Sequence, residues 1–128
     1  MKKQIIHVSV LHNVNLMPLS SATVCWSQHY SDPAVEHSCK PGQCKNNETV
    51  TNRAGVATIT TEIEASEPDS FKIPFKYYNK IWVRIDSVNC YGFKNCEVNK
   101  VFPAIGEEYN GSKSTTEYNF TVYLIPQN

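Results

Sequence analysis

The sequence has 128 residues, 41% of them hydrophobic, and its 12 basic and 12 acidic residues give a formal net charge of zero. A chain of this length and composition suits one domain, which we expect to span residues 1–128. A neutral chain has no overall field to attract nucleic acid or an anionic membrane, and no run of 18 apolar residues is present to cross a bilayer. We therefore predict no nucleic-acid partner and no membrane insertion.

The N-terminal segment has some features of a secretory signal. "MKKQIIHVSVLHNVNLMPLSSA" begins with a lysine pair and ends in small residues, but several polar side chains interrupt its apolar run. Ile6, Val8 and Val10 instead follow the period of two that is typical of a strand. We predict a strand here. We expect an extracytoplasmic protein, secreted or on the cell surface, whose leader is absent from this numbering.

The same alternation of apolar and polar residues recurs along the chain. It predicts strands at 22–27, 48–51, 57–63, 81–86 and 118–124, with weaker candidates at 70–74 and 98–102. No segment has the apolar face of a helix. Six to eight short strands without helices predict an all-β fold, a single antiparallel β-sandwich of the Ig-like or prealbumin-like type.

The segments between the predicted strands are expected to be loops. They are 28–47, 64–69, 89–96 and 104–116. Loops longer than about a dozen residues are uncommon in compact domains and often carry function. In "TNRAG", by contrast, Asn52 suits the start of a turn and Gly55 a position with positive φ, so this segment is predicted to be a corner between two strands.

Two short motifs resemble known sandwich modules. "PLSSATVCW" at 18–26, followed by "TVTNRAGVATIT" at 49–60, is similar to the paired signature of immunoglobulin-like and prealbumin-like domains. These include the repeated domains of bacterial invasin and intimin adhesins and the carboxypeptidase regulatory-like domain. The resemblance covers about a third of the chain and implies a sandwich architecture. The long segment between the motifs, with two cysteines, departs from the family pattern.

The five cysteines give the most informative chemistry in the sequence. Cys39 and Cys44 flank a Pro-Gly turn, and Cys90 and Cys96 bracket a predicted hairpin tip, so we predict two local disulfides and leave Cys25 unpaired. Other pairings of the cysteines are possible from sequence. A zinc site that includes His37 is a further alternative, although the gap between Cys90 and Cys96 is unusual for zinc, and so is a set of five reduced thiols.

Three sequons give weak support for secretion. They are "NET" at Asn47, "NGS" at Asn110 and "NFT" at Asn119, which we name as glycosylation candidates. About two such matches are expected by chance in a chain of this composition.

No catalytic motif is present in the sequence. There is no G-x-S-x-G elbow, no H-E-x-x-H and no phosphate-binding glycine loop. His29 and His37 share a predicted loop with Tyr30 and two carboxylates, where a nucleophile, a base and an acid could converge. A small hydrolase or metal-dependent enzyme that uses loop His and Cys residues is therefore the alternative to a nonenzymatic role.

Exposed aromatic residues favour a binding role. Trp82 and Arg84 are predicted to share the strand face opposite Ile81, Val83 and Ile85, and the predicted loops carry Tyr30, Tyr91 and Phe93. Such residues are common in binding surfaces. We predict a noncatalytic module that recognises a protein or glycan ligand through its cysteine-stapled loops, with no cofactor and no bound metal. The exposed face around Trp82 is the competing site, and a structural module of a surface assembly is a further alternative.

Overall fold

The fold is all-β. A computed structural model of the chain describes residues 2–29, 44–63, 80–98, 105–108 and 114–127. These residues contain no α-helix, and no helix in this part of the chain is long and apolar enough to cross a membrane. They form seven strands: β1 (Lys2–His12), β2 (Thr23–His29), β3 (Cys44–Val50), β4 (Val56–Ile63), β5 (Lys80–Asn89), β6 (Ile105–Glu108) and β7 (Ser114–Leu124).

The strands form two small sheets. The first has the order β4-β1-β7 and the second the order β3-β2-β5-β6. Neighbouring strands are antiparallel except for β1 and β7, which pair in parallel from Lys2 opposite Ser114 to His12 opposite Leu124. The purely antiparallel arrangement predicted from the sequence is therefore wrong for this pair. β1 and β7 are far apart in sequence, so no short hairpin requires them to run in opposite directions.

The strands predicted from alternating residues are present, and the differences occur in polar segments. β2 and β3 both extend into 28–47, which was predicted as loop, and β6 lies within another predicted loop at 104–116. β3 reads "CKNNETV" and β6 reads "IGEE", so neither has enough apolar residues for its strand character to be visible in the sequence. The weak candidate at 70–74 lies outside the described residues, as does all of 98–102 except Val98.

Both sheets contribute to one hydrophobic core. Each strand of the first sheet directs alternate residues inward, and Ile6 pairs with Ile59 on one side of β1. The second sheet contributes Val24, Val83 and Val88 to the same cluster. Two sheets that share one core are compatible with a β-sandwich.

A bulge in the second sheet changes which residues face outward. Cys25 lies opposite Ser87 whereas Trp26 lies opposite Ile85, so Asp86 is the extra residue on β5. Val83 and Ile85 are buried in the core. Trp82, Arg84 and Asp86 therefore lie on the opposite face of β5, as their alternation with the apolar residues predicted, and the bulge after Ile85 returns Val88 to the core.

The segment "TNRAG" forms the predicted corner between β3 and β4. Asn52 Oδ1 accepts hydrogen bonds from the backbone N–H groups of Ala54 and Val56, at 2.9 and 3.1 Å, and the Gly55 N–H bonds to the Asn52 carbonyl at 2.9 Å. Gly55 has a φ of 73°, as predicted. The turn is a part of the scaffold, where an Asx side chain and a glycine reverse the chain.

Candidate functional site

The outward face of the second sheet is polar, and strand pairing assembles it from three strands. Ser27 on β2 lies opposite Asn46 on β3 and opposite Arg84 on β5. The neighbouring rows place His29 beside Trp82 and Cys25 beside Glu48. We call this surface the polar face: Cys25, Ser27, His29, Asn46, Glu48, Trp82, Arg84 and Asp86.

An ion pair lies at the centre of the polar face. Arg84 Nε donates to Asp86 Oδ1 over 2.6 Å, and both side chains are less than a third exposed. Asp86 follows Arg84 by two residues on β5, so strand alternation places both side chains on the same face. Because both groups are only partly exposed, the pair is screened less by solvent than a surface ion pair and holds the guanidinium in a fixed orientation.

An open pocket of about 810 Å³ lies at this ion pair. Five of its lining residues are polar or charged, and the set is Cys25, Trp26, Asn46, Asn47, Glu48, Arg84 and Asp86. Trp26 also lines the pocket, but it lies opposite the buried Ile85, packs against the core and donates from Nε1 to Thr49 Oγ1 over 3.0 Å. The groups that the pocket offers to a ligand are therefore amide, carboxylate and guanidinium groups.

A buried hydrogen-bonded pair lies next to the pocket. Ser27 Oγ and His29 Nε2 are 2.7 Å apart, and the two residues are only 1% and 7% exposed although they belong to the polar face. Burial lowers the pKa of the His29 imidazole below its ordinary value of 6.5, the Arg84 guanidinium lowers it further, and the Asp86 carboxylate opposes both effects. Burial and the guanidinium thus favour the neutral form of the imidazole.

The lowered pKa of His29 predicts an acid-sensitive fold. The unfolded imidazole binds a proton at higher pH than the folded one, so the free energy of unfolding decreases as the pH falls through 6.5 towards the folded pKa. Above that range the group contributes no pH dependence. We expect His29→Gln to remove this contribution, so that Tm falls less between about pH 7 and about pH 5 in the variant than in the wild type. Equal falls in the two proteins would contradict the prediction.

The predicted binding residues do not lie on one surface. Trp82 pairs with His29, the last residue of β2, whereas Tyr91 and Phe93 follow Asn89, which pairs with Thr23 at the other end of β2. These two ends are roughly 20 Å apart along the strand. Tyr91 is fully exposed, and Phe93 is half-buried with its ring edge-on to His12 at 5.6 Å. Tyr30 lies outside the described residues.

The described cysteines are free thiols. Cys25, Cys90 and Cys96 form no disulfide in this structure. Cys96 pairs with Val88 through two backbone hydrogen bonds of 3.0 and 3.1 Å. Cys90, the predicted disulfide partner of Cys96, lies two residues further along the chain than Val88 and is therefore not directly opposite Cys96. Burial raises the pKa of the Cys96 thiol. Cys39 and the side chain of Cys44 lie outside the described residues, as does His37 of the alternative zinc site.

Two of the three sequons can be placed. Asn119 is exposed on β7, with Thr121 of its sequon also exposed, whereas Asn47 is half-buried at the pocket. Asn110 lies outside the described residues. Within the described ranges, no group of three or more His, Cys, Asp or Glu side chains is arranged to hold a metal ion.

The pocket contains residues that the sequence did not mark as functional. Asn46, Asn47 and Glu48 belong to a polar edge strand, and the sequence contains no signal that β3 pairs with β2. Of these three residues the sequence singled out Asn47, as a glycosylation candidate. Asp86 does carry a signal, because alternation along β5 places it on the same face as Trp82 and Arg84.

Comparison with known proteins identifies no family. No family model matches the chain, and no curated protein matches it. Among solved structures, chlorocatechol 1,2-dioxygenase from Pseudomonas putida is similar with a TM-score of 0.43 and 13% identity, over 99% of this chain and 61% of that chain. The chain thus spans about three-fifths of that protein. A likeness at this level identifies neither a family nor an activity.

Proposed function

We propose that this protein is a noncatalytic, extracytoplasmic binding module, and that its ligand is a glycan bound in the pocket at Arg84. The observation that carries the proposal is the composition of the pocket. Amide, carboxylate and guanidinium groups together donate to and accept from the several hydroxyl groups of a sugar. Of the two ligand classes that the sequence predicted, protein or glycan, this chemistry favours the glycan.

The Ser27 and His29 pair supports binding rather than hydrolysis. A serine hydrogen-bonded to a histidine is the arrangement of an activated nucleophile. Ser27 is only 1% exposed, however, so its hydroxyl oxygen has no path to a substrate in this structure. The pair instead satisfies two buried polar groups, which would otherwise destabilise the sheet.

The strand order supports the prealbumin-like form of the sandwich. In an immunoglobulin-type sandwich the first two strands belong to the same sheet. Here β1 and β2 belong to different sheets. The exposed sequon at Asn119 supports the extracytoplasmic location, since both Asn119 and Thr121 are accessible to modification.

An oligosaccharide array tests the proposed function. We expect wild-type protein to bind a subset of immobilised oligosaccharides, and Arg84→Ala to weaken binding of those sugars about 10- to 100-fold, because a charged hydrogen bond in a partly buried site is lost. Titration calorimetry with the best sugar measures the change. Arg53→Ala is the matched control, since it removes the same charge from the exposed β3–β4 turn.

Two results would count against this function. Wild-type protein that binds no sugar on the array would exclude a glycan ligand of the tested classes. Equal weakening by Arg84→Ala and Arg53→Ala would show that overall charge, and not the pocket, determines binding. Thermal melting of both variants establishes that each remains folded.

A further inference from the structure

The exposed large hydrophobic residues are concentrated at one end of the fold. Within the described ranges there are seven of them: Val14, Leu16, Met17, Val50, Tyr91, Tyr123 and Ile125. Each lies in a segment that enters or leaves a sheet at the same end of the fold. We call these segments together the apolar end: residues 12–21, 50–55, 90–95 and 123–127. Val14 is 77% exposed and Tyr91 is 102% exposed.

Topology and hydrogen bonds hold these four segments together. His12, the last residue of β1, pairs with Leu124 near the end of β7, and Thr23 at the start of β2 pairs with Val50 and with Asn89. Backbone hydrogen bonds then join the segments: Ser21 to Thr51, Val10 to Gly55, Lys94 to Ile125 and Gln127 to Gly92. The apolar end is therefore a preformed surface.

In the turn that follows β1, the apolar side chains are exposed while the backbone N–H groups are hydrogen-bonded. The N–H groups of Val14 and Asn15 face His12 Nδ1 at 3.1 and 3.4 Å, and the Met17 N–H donates to Asn15 Oδ1 at 2.9 Å. The N–H groups of Asn13 and Leu16 donate to backbone carbonyls at 3.0 Å. All five backbone N–H groups from residue 13 to residue 17 thus have acceptors. Burying this turn in an apolar environment would therefore leave none of these N–H groups without a hydrogen bond.

Leu16 keeps its exposed position at a conformational cost. Its φ is 59°, in the left-handed region that a branched, bulky residue rarely adopts, and its side chain is more than half exposed. An exposed leucine gains nothing from the core that would offset this strain. A strained residue held by its surroundings indicates a functional constraint.

The charge of the apolar end differs from that of the whole chain. None of the 12 acidic residues lies in its four segments, which carry Arg53 and Lys94 together with His12. Arg53 and Lys94 are both exposed. This surface combines aliphatic and tyrosine side chains with cations and has no carboxylate. It complements an apolar phase whose boundary carries negative charge.

From these observations we infer that the apolar end binds the surface of an anionic lipid bilayer. Tyr91 projects fully into solvent and the space around Gly92 is open, so both positions are accessible to a lipid surface. Leu16, Met17 and Val14 enter the boundary between headgroups and acyl chains, and Arg53 and Lys94 contact lipid phosphates. The zero net charge of the chain conceals this local attraction. The pocket at Arg84 belongs to the polar face and is a separate site.

Vesicle sedimentation tests the inference. We expect wild-type protein to bind vesicles of phosphatidylcholine and phosphatidylserine more strongly than vesicles of phosphatidylcholine alone. Leu16→Asn should reduce the partition coefficient at least about tenfold, because it removes an inserted apolar side chain while asparagine tolerates positive φ. Replacing Arg53 and Lys94 together by glutamine should remove the preference for phosphatidylserine. Thr60→Asn on β4 is the control and should bind as the wild type does.

Several results would overturn the inference. These are wild-type protein that binds neither vesicle, and a folded Leu16→Asn variant that binds both as the wild type does. Loss of binding only in the Arg53 and Lys94 variant would mean electrostatic adsorption without insertion. A wild-type dimer in lipid-free solution that becomes a monomer on Leu16→Asn would assign the apolar end to self-association instead.

Discussion

Gly55→Ala is expected to lower the free energy of unfolding by about 2 to 5 kcal/mol, of which the left-handed backbone contributes about 1–2 and steric overlap about 1–3. A Cβ atom at this position would lie 2.8 Å from Pro18 Cβ, 2.9 Å from the Leu19 nitrogen and 2.9 Å from the Val10 oxygen. Two of these atoms belong to backbone that is itself hydrogen-bonded, Leu19 N–H to the Val10 carbonyl at 2.9 Å. The overlap therefore cannot be relieved by a side-chain rotation. Chemical denaturation measures the loss.

Gly92→Ala separates the two contributions to this loss. Gly92 has a φ of 85°, yet a Cβ atom placed there meets nothing within 4 Å. Its replacement should cost only the backbone strain, about 1 to 2 kcal/mol. If the two alanine variants proved equally stable, the close approach of the Gly55 turn to the β1–β2 loop would contribute nothing to stability.

Thr51→Val should lower the free energy of unfolding by about 2 to 4 kcal/mol, because it leaves a buried donor and a buried acceptor without partners while preserving shape. Thr51 is buried between the two sheets' connecting loops. Its Oγ1 donates to the Leu19 carbonyl at 2.7 Å and accepts the Ala22 N–H at 2.9 Å. One hydroxyl thus joins the β3–β4 turn to the loop before β2.

Thr58→Val provides the comparison for Thr51. Thr58 is exposed on β4, and its hydroxyl lies 3.2 Å from His7 Nδ1 at the surface. Water can replace that contact, so we expect a change of about 0.5 kcal/mol or less. Similar losses from both valine variants would show that the effect of Thr51 comes from replacing threonine by valine in general and not from its buried hydrogen bonds.

The sequence predicted the strands that bury one face, and it missed β6 and all but the last residues of β3. Ile6, Val8 and Val10 alternate with polar residues because one side of β1 packs in the core, and this produces a visible period. β3 and β6 are edge strands of the second sheet, and their polar residues carry no such period. The parallel pairing of β1 and β7 was also unpredictable, since it depends on how distant segments meet.

The candidate sites were predictable only in part for a related reason. Alternation along β5 placed Trp82 and Arg84 on the outward face, because that information is local to one strand. The pocket needs β3 beside β2, and the apolar end needs four loops at one pole, both of which are properties of topology. The positions of Tyr91 and Phe93 depend on topology as well, because they follow the end of β5 that pairs with the start of β2.

The parallel pairing of β1 with β7 has a consequence for biosynthesis. β1 is the central strand of its sheet, and β7, which pairs with one of its two edges, is the last of the seven strands to be translated. At about 5 to 20 residues per second, that edge waits on the order of ten seconds for its partner on the ribosome. A nascent chain with an unpaired strand whose apolar face, Ile6, Val8 and Val10, is not yet covered is prone to misassociation during this interval, so the yield of native protein should depend on chaperones that shield β1.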